Sequence, residues 1–521
     1  MRGGLAPINR GGPPRQPTNE ATSRPYSHPA PYGGWNARGN LANMRPEEAL
    51  QMDNIVPGSQ DVSIRKGCIS WATAAPANIK SLLSYSGLTT NKLFAATNAG
   101  IYDVSASGVI GAAAVACTFG EWESLNFATA GGNFLFAVNG IDSAKTYDGT
   151  TWAIPAITVA TSSTWSYITA HKKRIWAVEK NTMNIWYLPV DSIAGAATKF
   201  PVGSLFKKGG YVLALGTWTI DGGSGIDDLF VIVTSNGEIA VYQGTDPASS
   251  ATWGLIGVYE VSKPVGKKPL LIFGGDLLYL GMSGLLPLSK LVQSTTVDIS
   301  AQISYNIDGA FADAVTTYTS TSGWQIVTYR TANLLIVNVP VSIDTLSYQY
   351  VMNTITKKWC RFTGWNATAF AQHNGWGYFA GATTVYQAWT GSNDAGAPIT
   401  GIVRQAYSRL GQGGQKKITL VRPNIGLAGS AQLSLSLDAD FKTFGGQTIF
   451  TYAPAILGGL WDAALWDTGL WDGGTSVFEP KWTTVPGDLG YLHSLRLQIV
   501  TSSGNFIWTS TDFAHRGAGI L

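Results

Sequence analysis

The chain has 521 residues, only 13% of them charged, and a formal net charge of +3. Charge this sparse and this balanced excludes a dedicated nucleic-acid binder, which needs a strong basic patch. The length exceeds one ordinary domain, and 61 glycines and 19 tryptophans beside 45% hydrophobic residues point to an extended β-protein with tight turns rather than a helical enzyme. Cys68, Cys117 and Cys360 lie far apart with no CxxC, so neither a zinc site nor a disulfide framework is expected. The N-terminus lacks the apolar stretch of a secretory signal, and no apolar run is long enough for a membrane-spanning helix.

Residues 1–57 read as an extended Pro/Gly-rich arm with too little apolar content to fold alone. Within "GGWNARGNLANMRPEEALQMDNIVPG" the segment Asn43–Asp53 predicts a short helix. Pro46 suits its first turn, Glu47 and Glu48 complement the dipole, and Ala49, Leu50 and Met52 give an apolar face. Such an arm is expected to order against a neighbour.

Residues 58–405 change character. Strand–turn–strand units recur at Lys92–Ser105, Asn133–Trp152, Lys173–Val190, Asp228–Gly244, Asp276–Lys290, Asn333–Asn353 and Gly375–Trp389. Their turns ("NAG", "NG", "SNGE", "MSG") offer Asn and Gly where positive φ is needed. The units begin roughly forty to fifty residues apart, the period of a propeller blade. The expected fold is therefore all-β: a β-propeller of about six to seven blades, with Asp61–Gly67 closing the ring. Residues 406–521 alternate polar and apolar positions in "QKKITLVRPNIGL", "AQLSLSLDAD", "SVFEPKWTTV", "HSLRLQIVTSS" and "FIWTSTDFAHR", and predict a C-terminal antiparallel β-sandwich or platform.

Inside that last region, "LWDAALWDTGLWDGG" repeats Leu-Trp-Asp at a spacing of five, which matches neither a strand nor a helix. A string of small turns fits better, each Asp bracing the backbone N–H groups after it and each Trp covering apolar surface. Leu460, Trp461, Leu465, Trp466, Leu470 and Trp471 are candidates either for capping a core or for contacting a partner subunit, and Trp35 of the arm is a candidate for oligomer or partner contact.

No catalytic residue, metal site or cofactor is expected. The five histidines are scattered, and no GxSxG, HExxH, P-loop or dinucleotide fingerprint is present. Asp221, Asp227 and Asp228 surround glycines but do not fit a calcium loop. "YDGTTW" (Tyr147–Trp152) is one residue away from the Asp box of sialidase-type propellers and reads as a blade turn. The basic groups Lys172, Lys173 and Arg174, Lys207 and Lys208, Lys267 and Lys268, and Lys357 and Lys358 could contact phosphate or another subunit.

Three stretches resemble tail proteins of short-tailed bacteriophages and related prophages: "GGWNARGNLANMRPEEALQMDNIVPGSQDVSIRKG", the region from "NIWYLPVDSIAGAATKF" to "VSKPVGKKP", and the Leu-Trp-Asp run. The resemblance spans most of residues 33–475 and carries no chemical motif. It implies a tail nozzle or tail tube protein of a podovirus, a structural protein without catalytic residues. It further implies a homo-oligomer, a hexamer, below a head-to-tail adaptor protein, with tail fibre or tail tip proteins as further partners. Double-stranded DNA would be retained and then pass without sequence specificity during DNA ejection. The expected location is the viral tail of the virion, assembled in the host cytoplasm. Two rival classes stand beside it: a glycan-binding or glycan-cleaving propeller, and an interaction scaffold of the WD-repeat kind.

Overall fold

The computed structural model describes residues 24–221, 226–292, 302–411, 413–443, 445–452, 477–478 and 481–517. Strands carry nearly all of the regular structure. Leu288–Val292 and Asp308–Tyr318 are the α-helices among the described residues.

Four antiparallel four-stranded meanders follow one another. The first comprises Ile79–Ser86, Asn91–Thr97, Gly100–Asp103 and Ala113–Val115, the second Glu123–Thr129, Gly132–Val138, Lys145–Tyr147 and Trp152–Ala153. The third comprises Trp165–His171, Arg174–Glu179, Asn184–Tyr187 and Thr198–Pro201, the fourth Val212–Asp221, Ile226–Thr234, Glu238–Gly244 and Trp253–Glu260. A three-stranded meander comes next: Leu270–Phe273, Asp276–Gly281 and Gly284–Pro287. Two further runs belong to a larger sheet. One holds Gln325–Tyr329, Leu334–Ser342, Leu346–Asn353 and Trp359–Phe362, the other Ala369–His373, Trp376–Ala380 and Val385–Ala388. Every strand–turn–strand unit expected from the sequence is present as a hairpin in these runs.

The cores lie between successive meanders. Leu83 and Phe94 pack with Trp122 and Leu135, Phe136 and Val138 with Trp165 and Ile175, Trp176 and Ile185 with Phe230 and Tyr242. Val231 and Ile239 then meet Leu277 and Tyr279, and Tyr378 and Val385 of the last run meet Ile79 and Leu93 of the first. Each sheet thus buries both faces, and one buried Leu, Ile or Phe contributes about 1.5–3 kcal/mol. The first strand of each run lies beside the first strand of the next, and Ala369–His373 lies beside Ile79–Ser86. The architecture is β-rich and consistent with the propeller class.

The strand completing the last run is Cys68–Thr73, antiparallel to Val385–Ala388 with Ala388 opposite Cys68. This corrects the assignment of ring closure to Asp61–Gly67. Val62–Ile64 pairs instead with Ile55–Pro57 and with Ile507 and Trp508. Val62 is buried there, so its apolar side chain has another core to enter.

The helix expected over Asn43–Asp53 is a strand over Glu48–Asp53, paired with Ala397–Gln405. The physical reason is a bulge at Leu50. Ala49 faces Gln405 and Met52 faces Val403, so two residues three apart share one buried face and imitate a helical spacing. Gln51 and Asp53 share the other face, their side chains 2.6 Å apart. The Leu50 carbonyl accepts the Trp35 indole N–H at 3.1 Å.

The two chain ends build a second body. Ala397–Gln405, His493–Thr501, Ala431–Ala439 and Thr448–Tyr452 continue the sheet that contains Glu48–Asp53. Arg24–Pro29, Asn505–Gly517 and Lys416–Ala428 form the facing sheet. Leu433, Leu435, Leu497 and Ile499 pack with Val421, Phe506, Trp508 and Phe513 between them. From Arg24 onward the N-terminal segment is therefore spent on the chain's own sheets. Two ion pairs fasten this body to the propeller-type runs. Arg361 Nε meets Asp53 Oδ1 at 2.7 Å, and the fully buried Arg65 forks onto Asp394 at 2.8 and 2.5 Å. Arg65 also donates to Asn54 Oδ1 at 2.9 Å and to the Thr363 carbonyl at 2.8 Å, and lies 4.9 Å from the Trp365 ring centre.

Candidate functional site

A cavity of about 440 Å³ draws its wall from six of the runs and from the segment Pro264–Lys268 that leads into the three-stranded one. Its mouth lies among Glu121–Glu123, Pro264–Lys268, Ser320–Gln325, Asp344–Ser347 and Asn366–Thr368. The stretch Thr319–Gly323 follows the helix Asp308–Tyr318 and brings a run of small hydroxyl residues to this mouth.

Structural hydrogen bonds fix the wall. Ser81 Oγ accepts the Trp122 backbone N–H at 2.8 Å. Thr368 Oγ1 donates to the Ile79 carbonyl at 2.8 Å, joining the last run to the first. Gln325 bridges to Phe370, accepting its N–H at 3.1 Å and donating to its carbonyl at 3.3 Å. Deeper in, Gln349 Nε2 reaches Asn338 Oδ1 at 2.9 Å, and Asn338 Nδ2 reaches the Gly323 carbonyl at 2.9 Å.

Charge at the mouth is paired. Lys80 meets Asp344, Lys267 meets Glu121, and Lys268 meets Glu123 at 2.8 Å. Ion pairs in contact with solvent contribute about 0–1 kcal/mol each, so an incoming group can replace a partner at little cost. Burial, with Glu123 adding to it, pushes the Tyr167 hydroxyl far above its ordinary range and keeps it neutral.

Of the basic residues singled out in the sequence, Lys267 and Lys268 line this cavity, each on a carboxylate. The others sit elsewhere, and several of them are also paired. Lys172 and Lys173 are the two turn residues of a hairpin, both with positive φ, and reach Asp228 at 3.2 Å and Asp191 at 3.6 Å. Arg174 meets Asp246 at 3.2 Å. The backbone N–H groups of Lys207 and Lys208 donate to the buried Glu238 at 3.0 and 2.9 Å. Phosphate would have to compete with a carboxylate at Lys172, Lys173, Arg174 and Lys208. Trp35 is buried, 5.5 Å from Tyr350. Leu460, Trp461, Leu465, Trp466, Leu470 and Trp471 lie outside the described residues.

Asp148 braces its turn, accepting the N–H groups of Thr150 and Thr151 at 2.8 and 2.7 Å. Those bonds, the Thr151 N–H first, hold its carboxyl near 2. Asp228 is taken by Lys172 and Thr219, while residues 222–225 lie outside the described residues. Among the described residues no group of three His, Cys, Asp or Glu side chains is placed to hold a metal ion. Burial lowers His28 and His171 to about 4 and lowers His373 and His493 as well. Burial, reinforced by Asp394, pushes the Cys68 thiol up to about 12, and burial raises Cys117 and Cys360.

No family model matches the chain, and no curated protein does. Solved structures similar to it include the computationally designed Ika8 protein, at 10% identity and a TM-score of 0.36 over 62% of this chain and 100% of that one. Saccharomyces cerevisiae Sqt1 matches at 11% identity and a TM-score of 0.38 over 63% and 86% of the two chains. Chaetomium thermophilum Raptor matches at 10% and 0.38 over 62% and 28%. These findings correct the resemblance to phage tail proteins, since no tail family model and no curated tail protein matches. The podovirus tail nozzle or tail tube role falls with it. So do the hexameric homo-oligomer, the adaptor, tail fibre and tail tip partners, the passage of DNA, and the virion location.

Proposed function

We propose that the chain is a non-catalytic binding protein: seven meanders set as the blades of one ring, with a sandwich of both chain ends attached, receiving a partner's polypeptide segment at the axial mouth. The full circle of contacts between first strands supports the blade number, and the cores between successive meanders agree with it. The sandwich unit in this reading joins residues 24–64 to residues from 397 onward.

The observation that carries the binding role is the wall of the cavity. Hydroxyl and amide side chains, and ion pairs already neutralised, offer both donors and acceptors without net charge. A polypeptide backbone has that same mixed requirement, and the volume is that of an ordinary binding pocket. The state of the candidate nucleophiles supports a role without catalysis. The thiols are held protonated by burial, whereas a reactive cysteine needs its thiolate.

A tiled array of short peptides, read beside a panel of hydrolase and transferase substrates, separates binder from enzyme. Ser322, exposed at the mouth, gives the control substitution Ser322→Trp. The expected result is a set of peptide signals that this substitution abolishes. Substrate turnover that it abolishes would contradict the proposal.

A further inference from the structure

The fourth meander ends in Trp253–Glu260, "WGLIGVYE". The strand pairs with Glu238–Gly244 on one side, and among the described residues no strand pairs its other side. The outer strands of the other four-stranded runs are protected. Trp152–Ala153 has two residues and Ala113–Val115 three; Thr198–Pro201 carries Lys199 and Pro201. Trp359–Phe362 and Cys68–Thr73 are flanked by further strands. Short length, Lys, Pro and coverage are the usual ways to blunt a sheet edge. Trp253–Glu260 has eight residues with no Lys, no Pro and no covering strand, and its one irregularity is a bulge at Ile256. Leu255, Ile256 and Val258 are 42%, 44% and 36% exposed, and the bulge sets Leu255 and Val258, opposite Tyr242 and Ala240, on one face of the edge.

One end of this edge is cationic. Glu260 is exposed and paired with Lys208 at 2.9 Å, and the exposed Lys207 and Lys263 lie close by in the fold or the chain. Three lysines thus stand against two carboxylates, Glu260 and the buried Glu238 opposite it. At the other end Arg174 and Asp246 neutralise each other.

We propose that this edge accepts an extended, β-branched segment of a partner protein, added antiparallel, with acidic residues at the segment's N-terminal side. Antiparallel addition continues the meander and sets the partner's N-terminal side beside Glu260 and the lysines. Main-chain bonds supply affinity, and the exposed Leu255, Ile256 and Val258 with the charged end supply selectivity. The inference is independent of the axial cavity.

The test uses the full-length chain and two fluorescein-labelled peptides, Asp-Glu-Thr-Val-Ile-Val-Thr and its counterpart led by Lys-Lys, with binding read by anisotropy. The acidic-led peptide is expected to bind saturably, about tenfold tighter than its counterpart, and to protect amides of Trp253–Glu260 from hydrogen exchange. Leu255→Lys with Val258→Lys, both on exposed positions, is expected to remove binding while circular dichroism stays unchanged. Lys207→Glu with Lys263→Glu is expected to reverse the preference between the two peptides. Absence of saturable binding by either peptide would overturn the proposal. So would binding indifferent to the edge substitutions, or light scattering showing that two copies of this chain occupy the edge instead.

Discussion

Arg65 sits where three parts of the chain meet, and its guanidinium is fully buried against Asp394, whose side chain is only 15% exposed. Removing one partner of such a pair costs about 3–5 kcal/mol, because the other charge stays buried and alone. Arg65→Ala should lose that much in chemical denaturation, and Arg65→Lys should lose most of it, since an ammonium cannot fork onto a carboxylate. A loss below about 1 kcal/mol for Arg65→Ala would contradict this role. The histidines make a second prediction. His28 and His171 have folded-state values near 4, below the ordinary value of 6.5, so the unfolded chain binds more protons between those limits. Stability therefore falls as pH drops through 6.5 toward 4 and levels off below, each group contributing up to about 3 kcal/mol. The double substitution His28→Gln, His171→Gln should flatten this slope even if it lowers stability at pH 7. Melts at pH 7 and 4.5 with an unchanged slope would refute the assignment.

At the scale of elements, hairpins were legible because their turns carry a local chemical mark. Gly237 of "SNGE" adopts positive φ in the turn that joins Ile226–Thr234 to Glu238–Gly244, and glycine tolerates this. First strands were not legible. Glu123–Thr129 has one buried residue in seven, so its apolar pattern is weak in the sequence although its Glu123 lines the cavity. Glu48–Asp53 was misread because a bulge shifts its period, and a bulge leaves no mark on composition. The ring-closing strand was placed one element early, since Val62–Ile64 and Cys68–Thr73 both read as strands and only long-range pairing separates them. The junction between them makes its own prediction. A Cβ on Gly67 would stand 1.8 Å from the Asn393 carbonyl oxygen, a backbone atom that cannot rotate away. Gly67→Ala should destabilise the chain by about 1–3 kcal/mol and speed proteolysis within Cys68–Thr73, leaving Trp253–Glu260 unaffected. Unchanged proteolysis at Cys68–Thr73 would argue against ring closure by that strand.

At the scale of the whole molecule, the axial cavity draws its wall from positions as far apart as Lys80 and Phe370. No local pattern joins such residues, and each looks ordinary in its own strand. Lys267 and Lys268 stood out as a doublet, but their carboxylate partners Glu121 and Glu123 lie more than a hundred residues away in the sequence. The likeness to phage tail proteins rested on long stretches without a chemical motif, and nothing in the comparisons sustains it. What remains is a β-rich body whose paired charges and neutral hydroxyls suit recognition better than chemistry. The central claim is that the axial mouth receives a polypeptide segment. Amide hydrogen exchange of the full chain, with and without a peptide selected from the array, tests it most directly. The account predicts protection confined to Thr319–Gly323, Asp344–Ser347 and Asn366–Thr368, and lost in Ser322→Trp. Protection elsewhere with these three stretches unchanged would contradict it.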